Sequence, residues 1–216
     1  MALESFSGFL PPENHFHTIT EGLYEKGWVV VPDFLDQSRW LSLFMRARAI
    51  ADYTPAGIGR GGAFQENSFV RNDSICWLGD SYDCDVYWLD LMEQLRKVIN
   101  SKLFLGLFEF ESHFARYNPG SFYKRHLDAF KGQGIRIVSV VLYLNPQWQQ
   151  GEGGELVIYP EDNLQGIAVA PCGGTLAVFL SEDFPHEVLP ATRTRFSIAG
   201  WFRVNMTTGY HLDPAA

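Results

Sequence analysis

His126 and Asp128 stand two residues apart in KRHLDAF, and His186 follows 58 positions after Asp128 in FPHEVL. On an extended segment an i, i+2 pair projects to one side. Two imidazoles and one carboxylate on one side of an octahedral ion form the ligand set of non-haem Fe(II) oxygenases, which leaves three adjacent positions open. Those positions suit a chelating 2-oxoacid together with O2. An HxD pair alone carries little weight in a chain with six histidines. A surface histidine beside a turn aspartate reads equally well, so the surroundings decide.

Arg195 lies nine residues after His186 and opens RFSIAGWF. As a strand, this segment places Arg195, Ser197, Ala199 and Trp201 on one face and Phe196, Ile198 and Phe202 on the other. The first face suits a polar cavity, where a guanidinium can hold a carboxylate through two parallel hydrogen bonds. Tyr143, on IVSVVLYL with Ser139 and Val141 on its face, is a second candidate partner for that carboxylate. Tyr117, in HFARY, can donate a hydrogen bond near a metal. Each of these also has a bland reading, a surface ion pair for the arginine and a rim-satisfied core hydroxyl for the tyrosines.

The elements that must carry these residues change character along the chain. In the first half, Phe16, Ile19 and Leu23 share a helical face that Gly27 can end, and Trp28 to Pro32 reads as a short strand. Asp36 can cap a helix running to about Asp52. Asp80 or Ser81 can cap a third, whose buried side is Trp88, Leu91, Met92, Leu95 and Ile99. Between the second and third helices, Gly57 to Val70 holds four glycines in fourteen residues. Such a segment is either a plain surface loop or a lid over a site. The second half reads as strands at Phe110 to Tyr117, Arg136 to Leu144, Glu155 to Tyr159, Gly174 to Leu180 and Arg195 to Arg203, divided by Pro, Gly and Asn turns. Helices first and strands later predict an α+β chain whose strands close into a sandwich or barrel, with the helices buttressing one face. The expected organisation is one domain over residues 1–216, with helical support over 1–105 and a β core over 106–204.

Composition narrows the function. A net charge of −8 argues against nucleic acid as the main partner, because phosphate binding needs a basic surface. The longest strongly apolar run, Ile137 to Leu144, is far too short to span a bilayer, and no secretory leader is evident at the N-terminus. Cys76, Cys84 and Cys172 form no CxxC pair and read as reduced thiols, so a cytoplasmic location is expected. Nothing in the sequence fixes the oligomeric state.

The stretches RYNPGSFYKRHLDAF, VLYLNPQW, GGELVIYP and FPHEVLPATRTRFSIAGWF together resemble the Fe(II)- and 2-oxoglutarate-dependent prolyl hydroxylases. The likeness is to the enzymes that hydroxylate hypoxia-inducible factor and to their bacterial relatives. It covers Phe110 to Phe202 closely and extends loosely to RNDSICWLGD. It implies a double-stranded β-helix, or jelly roll, with His126, Asp128 and His186 as iron ligands. It implies that Arg195 and Tyr143 bind the distal carboxylate of 2-oxoglutarate, with Tyr117 beside that cosubstrate, Leu156 lining its pocket and Trp201 packing near the metal end. The turn before His126 is one residue shorter than in the animal enzymes, which bears on where Tyr117 sits. The resemblance further implies O2 as cosubstrate, ascorbate as reductant and a prolyl residue in a protein as target, with an elongation factor of the Tu type the first candidate in a bacterial setting. The glycine-rich segment then falls where that branch has its substrate loop, with Arg60, Gln65 and Glu66 as candidate contacts. Hydroxylation of free proline or another small molecule, and a non-catalytic sensing module on the same fold, are the competing readings. A metal-dependent hydrolase and a nucleic-acid demethylase fit less well: the first needs no Arg195, and the second needs a basic surface.

Overall fold

A computed structural model describes residues 13–57, 69–129 and 134–205. The expected substrate-loop contacts Arg60, Gln65 and Glu66 lie outside the described residues.

Among the described residues, three helices precede most of the strands. They are α1 (Glu13–Lys26), α2 (Gln37–Ala49) and α3 (Asp83–Leu103). The strands are β1 (Trp28–Val31), β2 (Thr54–Pro55), β3 (Ser74–Trp77), β4 (Glu109–Tyr117), β5 (Tyr123–His126), β6 (Arg136–Tyr143), β7 (Leu156–Ile158), β8 (Ile167–Val169), β9 (Leu176–Leu180), β10 (His186–Val188) and β11 (Arg195–Arg203). They form a seven-stranded sheet in the order β1-β9-β6-β11-β4-β3-β2 and a four-stranded sheet in the order β5-β10-β7-β8. Among the described residues, these strands pair antiparallel throughout. From β4 to β11 the chain passes back and forth between the sheets, which is the winding of a double-stranded β-helix. The strands β1, β2 and β3 widen the larger sheet.

Strand alternation sorts side chains between two cores. On β11, Phe196, Ile198 and Phe202 join Val138, Val140 and Leu142 of β6 against the helices. From α3, Trp88, Leu91, Met92, Leu95 and Ile99 recur at helical spacing and fill that layer. Each such side chain contributes about 1.5–3 kcal/mol by leaving water, so the helices are a fixed backing for the sheet. The opposite face of the same strands looks into the space between the sheets. There Tyr117, Tyr143, Leu156, Ile158, Phe179 and Val188 form the second core. A rigid sheet backed on one side therefore presents Arg195, Ser197 and Tyr143 to the inside.

Local chemistry sets the helix ends. Asp36 caps α2 as expected, its carboxylate accepting from the Arg39 amide at 3.1 Å. The helix stops at Ala49, short of Asp52, because Ile50 turns extended and buries its side chain. The third helix starts at Asp83, not after Asp80 or Ser81. Tyr82 occupies the N-cap without a side-chain hydrogen bond, and Asp83 and Asp85 supply negative charge to the first turn. Gly27, at φ +76°, ends α1 as expected, and a side chain there would strike Phe184. Cys76, Cys84 and Cys172 are all free thiols. Among the described residues, no helix is long and apolar enough to cross a membrane.

Candidate active site

β5 and β10 are neighbours in the smaller sheet, and their register sets His126 directly opposite His186. Asp128 lies just past the end of β5. Its carboxylate oxygens stand 3.6 Å from His126 Nε2 and 3.6 Å from His186 Nε2. One ligand atom from each of the three residues falls within 4.8 Å of the others. The sequence spacing thus brings the three together, although Asp128 sits beyond the strand and not within it.

The imidazoles are pre-set for a cation. His126 Nδ1 lies 2.7 Å from the Lys124 carbonyl, and His186 Nδ1 lies 3.0 Å from the Phe184 carbonyl. A carbonyl only accepts, so each Nδ1 carries a proton and each Nε2 is the ring atom turned toward Asp128. Such outer hydrogen bonds are the usual means of fixing a metal-binding imidazole. Burial pushes the His186 imidazole down to about 4, against the pull of Asp128, so it stays neutral at pH 7. Burial alone would raise the Asp128 carboxyl, but His186, His126 and the Ser139 hydroxyl hold it well below the usual carboxylate range. Ser139 donates to Asp128 at 2.6 Å and meets Ser181 at 2.9 Å. Two imidazole nitrogens and one carboxylate oxygen are a donor set that fits a divalent metal.

A second group of residues lies one strand pair away. Arg195 is 1% exposed, yet among the described residues no carboxylate pairs with it. Its Nε donates to the Gly154 carbonyl at 2.9 Å and its Nη1 to Ser197 Oγ at 3.0 Å. Tyr117, its cross-strand partner on β4, and Tyr143 flank the guanidinium, with ring centroids at 4.9 and 5.2 Å. Among the described residues the buried Tyr143 hydroxyl donates to no acceptor, and Arg195 is its polar neighbour. Burial raises the Tyr143 phenol, with Arg195 opposing, so the hydroxyl remains a donor. A buried cation beside an unused hydroxyl donor is a cradle for a carboxylate, since leaving either group unmatched in the interior is costly. Leu156, 2% exposed, belongs to the apolar cluster around these tyrosines.

Trp201 faces the same space, with Ser139 as its cross-strand partner and therefore close to Asp128. The Arg136 guanidinium covers it at 3.5 Å, and His113 packs against it at 5.4 Å. Trp77 of β3 meets His113 from the other side at 5.2 Å. Several residues here carry no motif of their own. Ser139, Gly154 and Tyr123, which stacks on His126 with centroids 3.5 Å apart, act through pairings of distant strands. Strand alternation places Ser139 on the inner face, and nothing in the sequence singles out Gly154 or Tyr123.

Comparison with known proteins agrees with this geometry. Residues 112–203 match the 2OG-Fe(II) oxygenase superfamily. A prolyl-4-hydroxylase from Pseudomonas putida superposes with a TM-score of 0.80 at 40% identity, covering 88% of this chain and 98% of that one. A Trichoplax adhaerens prolyl hydroxylase, solved with a peptide of the hypoxia-inducible factor oxygen degradation domain, superposes with a TM-score of 0.79 at 26% identity, covering 88% and 89%. Human Egl nine homolog 1 is 32% identical over 188 residues, which is 82% of this chain and 43% of the relative. The chain thus spans about half the length of the Egl nine relatives it matches. On these matches, together with the His126–Asp128–His186 cluster and the Arg195 cradle, the chain belongs to the 2OG-Fe(II) oxygenase superfamily and is of the prolyl hydroxylase type.

Proposed function

We propose that this chain hydroxylates a prolyl residue within a protein, using Fe(II), 2-oxoglutarate and O2. The observation that carries the reading is the buried Arg195, paired with no carboxylate among the described residues, beside the Tyr143 hydroxyl, which donates to no described acceptor, on the same sheet face that meets the three-ligand cluster. In this reading His126, Asp128 and His186 hold the iron. Arg195 and Tyr143 hold the distal carboxylate of 2-oxoglutarate, and Tyr117 and Leu156 wall its pocket. The bound iron supplies oxidative decarboxylation of 2-oxoglutarate and hydroxylation of an unactivated C–H bond. The protein's part is to orient and to exclude water. Ser139 fixes one Asp128 oxygen, the Lys124 and Phe184 carbonyls fix the imidazole planes, and the aromatic rings keep the cleft dry. Ascorbate is the expected reductant for keeping the iron ferrous.

The choice of a prolyl residue over free proline rests on charge. A free amino acid needs partners for its carboxylate and ammonium. Of the arginines near the ligand cluster, Arg71 is matched to Asp73 at 2.6 Å and Arg136 to Glu111 at 2.7 Å, while Arg125 points outward over the Tyr159 ring at 3.8 Å. Arg195 is committed to the cosubstrate. What remains near the metal end is aromatic, namely Trp77, Trp201 and Tyr123, which suits a neutral ring within a peptide. The Trichoplax relative's peptide complex points the same way. An elongation factor of the Tu type is the first candidate target. Lys124 and Arg125, exposed beside His126, are available to an acidic patch on it. The test incubates the protein, Fe(II), 2-oxoglutarate and ascorbate with free proline, prolyl peptides and folded candidate proteins, and weighs the products. A gain of one oxygen on a prolyl residue is expected. Efficient oxidation of free proline with none on any protein overturns the substrate assignment and leaves the oxygenase assignment standing.

A further inference from the structure

His126 is the most exposed of the three ligand residues, with 15% of its side chain accessible, and its plane is set by more than its own hydrogen bond. The Tyr123 ring stacks on it with centroids 3.5 Å apart and planes 16° from parallel. The Arg71 guanidinium carbon lies 4.2 Å from the same Tyr123 centroid. Two groups this close to one centroid must occupy opposite faces, so Tyr123 is sandwiched between a cation and a ligand imidazole. Arg71 cannot swing away. Its Nε and Nη2 donate to both oxygens of Asp73, at 2.8 and 2.6 Å, and Asp73 is 3% exposed. Backbone pairing locks the arrangement: Arg71 bridges Tyr123, and the Lys124 amide donates to the Val70 carbonyl at 2.8 Å.

We infer that Tyr123 is a positioning residue for the metal centre, and that Arg71, pinned by Asp73, holds Tyr123 flat against His126. The inference rests on the reading of His126 as a metal ligand. A flat ring against the imidazole limits its rotation about the bond to Cβ, so Nε2 stays aimed at the site before an ion arrives. The planar guanidinium covers the far face of the tyrosine and prevents it from tilting away. Arg71 also hydrogen-bonds the Tyr123 hydroxyl, but it is the ring plane that restrains the imidazole.

The test titrates metal-free protein with Co(II), followed by calorimetry and by the visible absorption of the bound ion. Wild type binding one Co(II), and Asp128→Ala losing it, checks the underlying ligand assignment; failure there refutes that assignment and not the clamp as such. Given that result, Tyr123→Leu weakens Co(II) by about 10- to 100-fold, the range for outer partners of metal ligands, and alters the absorption bands. Tyr123→Phe stays within about threefold of wild type, since outer effects of that size lie below that range. Should Tyr123→Leu fail to fold, Arg71→Lys carries the test. It keeps a charge opposite Asp73 but loses the flat fork, and it weakens Co(II) by more than about threefold if the clamp acts on the metal. Unchanged Co(II) affinity in a folded Tyr123→Leu, or equal weakening in Tyr123→Phe and Tyr123→Leu, overturns the inference. So does unchanged affinity in Arg71→Lys where it alone folds.

Discussion

Arg195→Ala probes the cosubstrate site most sharply. In the free protein, the guanidinium is 1% exposed and already oriented by Gly154 and Ser197. Binding a carboxylate therefore orders little that is not ordered beforehand. Truncation leaves that carboxylate desolvated between Tyr117 and Tyr143 with no cation, which costs about 2–5 kcal/mol. That is a rise in the dissociation constant of about 30-fold to several thousand-fold. Tyr143→Phe removes one donor and costs less, near the lower end of the about 1.5–3 kcal/mol of a hydrogen bond to a charged group. Calorimetric titration of 2-oxoglutarate into Mn(II)-loaded protein reads both.

Thermal unfolding gives an independent check. At 100 times its dissociation constant, 2-oxoglutarate stabilises wild type by about 2.7 kcal/mol, a rise of about 5–10 °C for a chain of this size. At the same concentration Arg195→Ala retains about 1 kcal/mol or less. Unchanged affinity in a folded Arg195→Ala protein refutes the cradle and requires another basic residue as the anchor.

Three further outcomes follow from the same geometry. Ser139→Ala removes the hydroxyl at 2.6 Å from Asp128 and lowers metal affinity by about 10- to 100-fold; equal affinity in a metal titration counts against its orienting role. Gly154→Ala forces a side chain into a φ of +75° and to 3.2 Å from Arg195 Cδ, so 2-oxoglutarate binding weakens while metal binding holds, and titrations showing the reverse order contradict this. In metal-free protein, burial keeps His186 and His113 neutral down to about 4 and about 3. The unfolded chain takes up those protons from about pH 6.5 downward, so stability falls between about pH 6.5 and pH 3 by about 1.4 kcal/mol per unit for each imidazole titrating. Above pH 7 neither contributes, and equal urea midpoints at pH 7 and pH 4.5 run against the assignment.

Much of the site was legible in the residues because it lies on two strong patterns. The alternation of RFSIAGWF and IVSVVLYL separates a polar face from an apolar one, and that separation became the inside and the helix-facing side of the larger sheet. Residue type and spacing raised His126, Asp128 and His186 as a candidate trio, and the surrounding stretches gave it weight. The short strands were not legible. The segment YKRH has no alternating apolar pattern, and it is a strand only because β10 and residues 70–71 pair with it. The Ser139–Asp128 bond and the Arg71–Tyr123–His126 stack join residues from different strands, and no local period encodes them. The cap of α3 falls at Tyr82, one or two residues beyond the expected Ser81 or Asp80, because Asp83 and Asp85 satisfy the helix start electrostatically, without a capping hydrogen bond.

The central claim is that metal and 2-oxoglutarate react in the cleft between His126, Asp128, His186 and Arg195. The direct measurement is succinate released from 2-oxoglutarate in air, with and without Fe(II), by wild type and by Asp128→Ala. Fe(II)-dependent succinate is expected from wild type, raised by a true prolyl substrate, and none above background from Asp128→Ala. Succinate formed equally by both proteins, or none from iron-loaded wild type supplied with an accepted substrate, contradicts it.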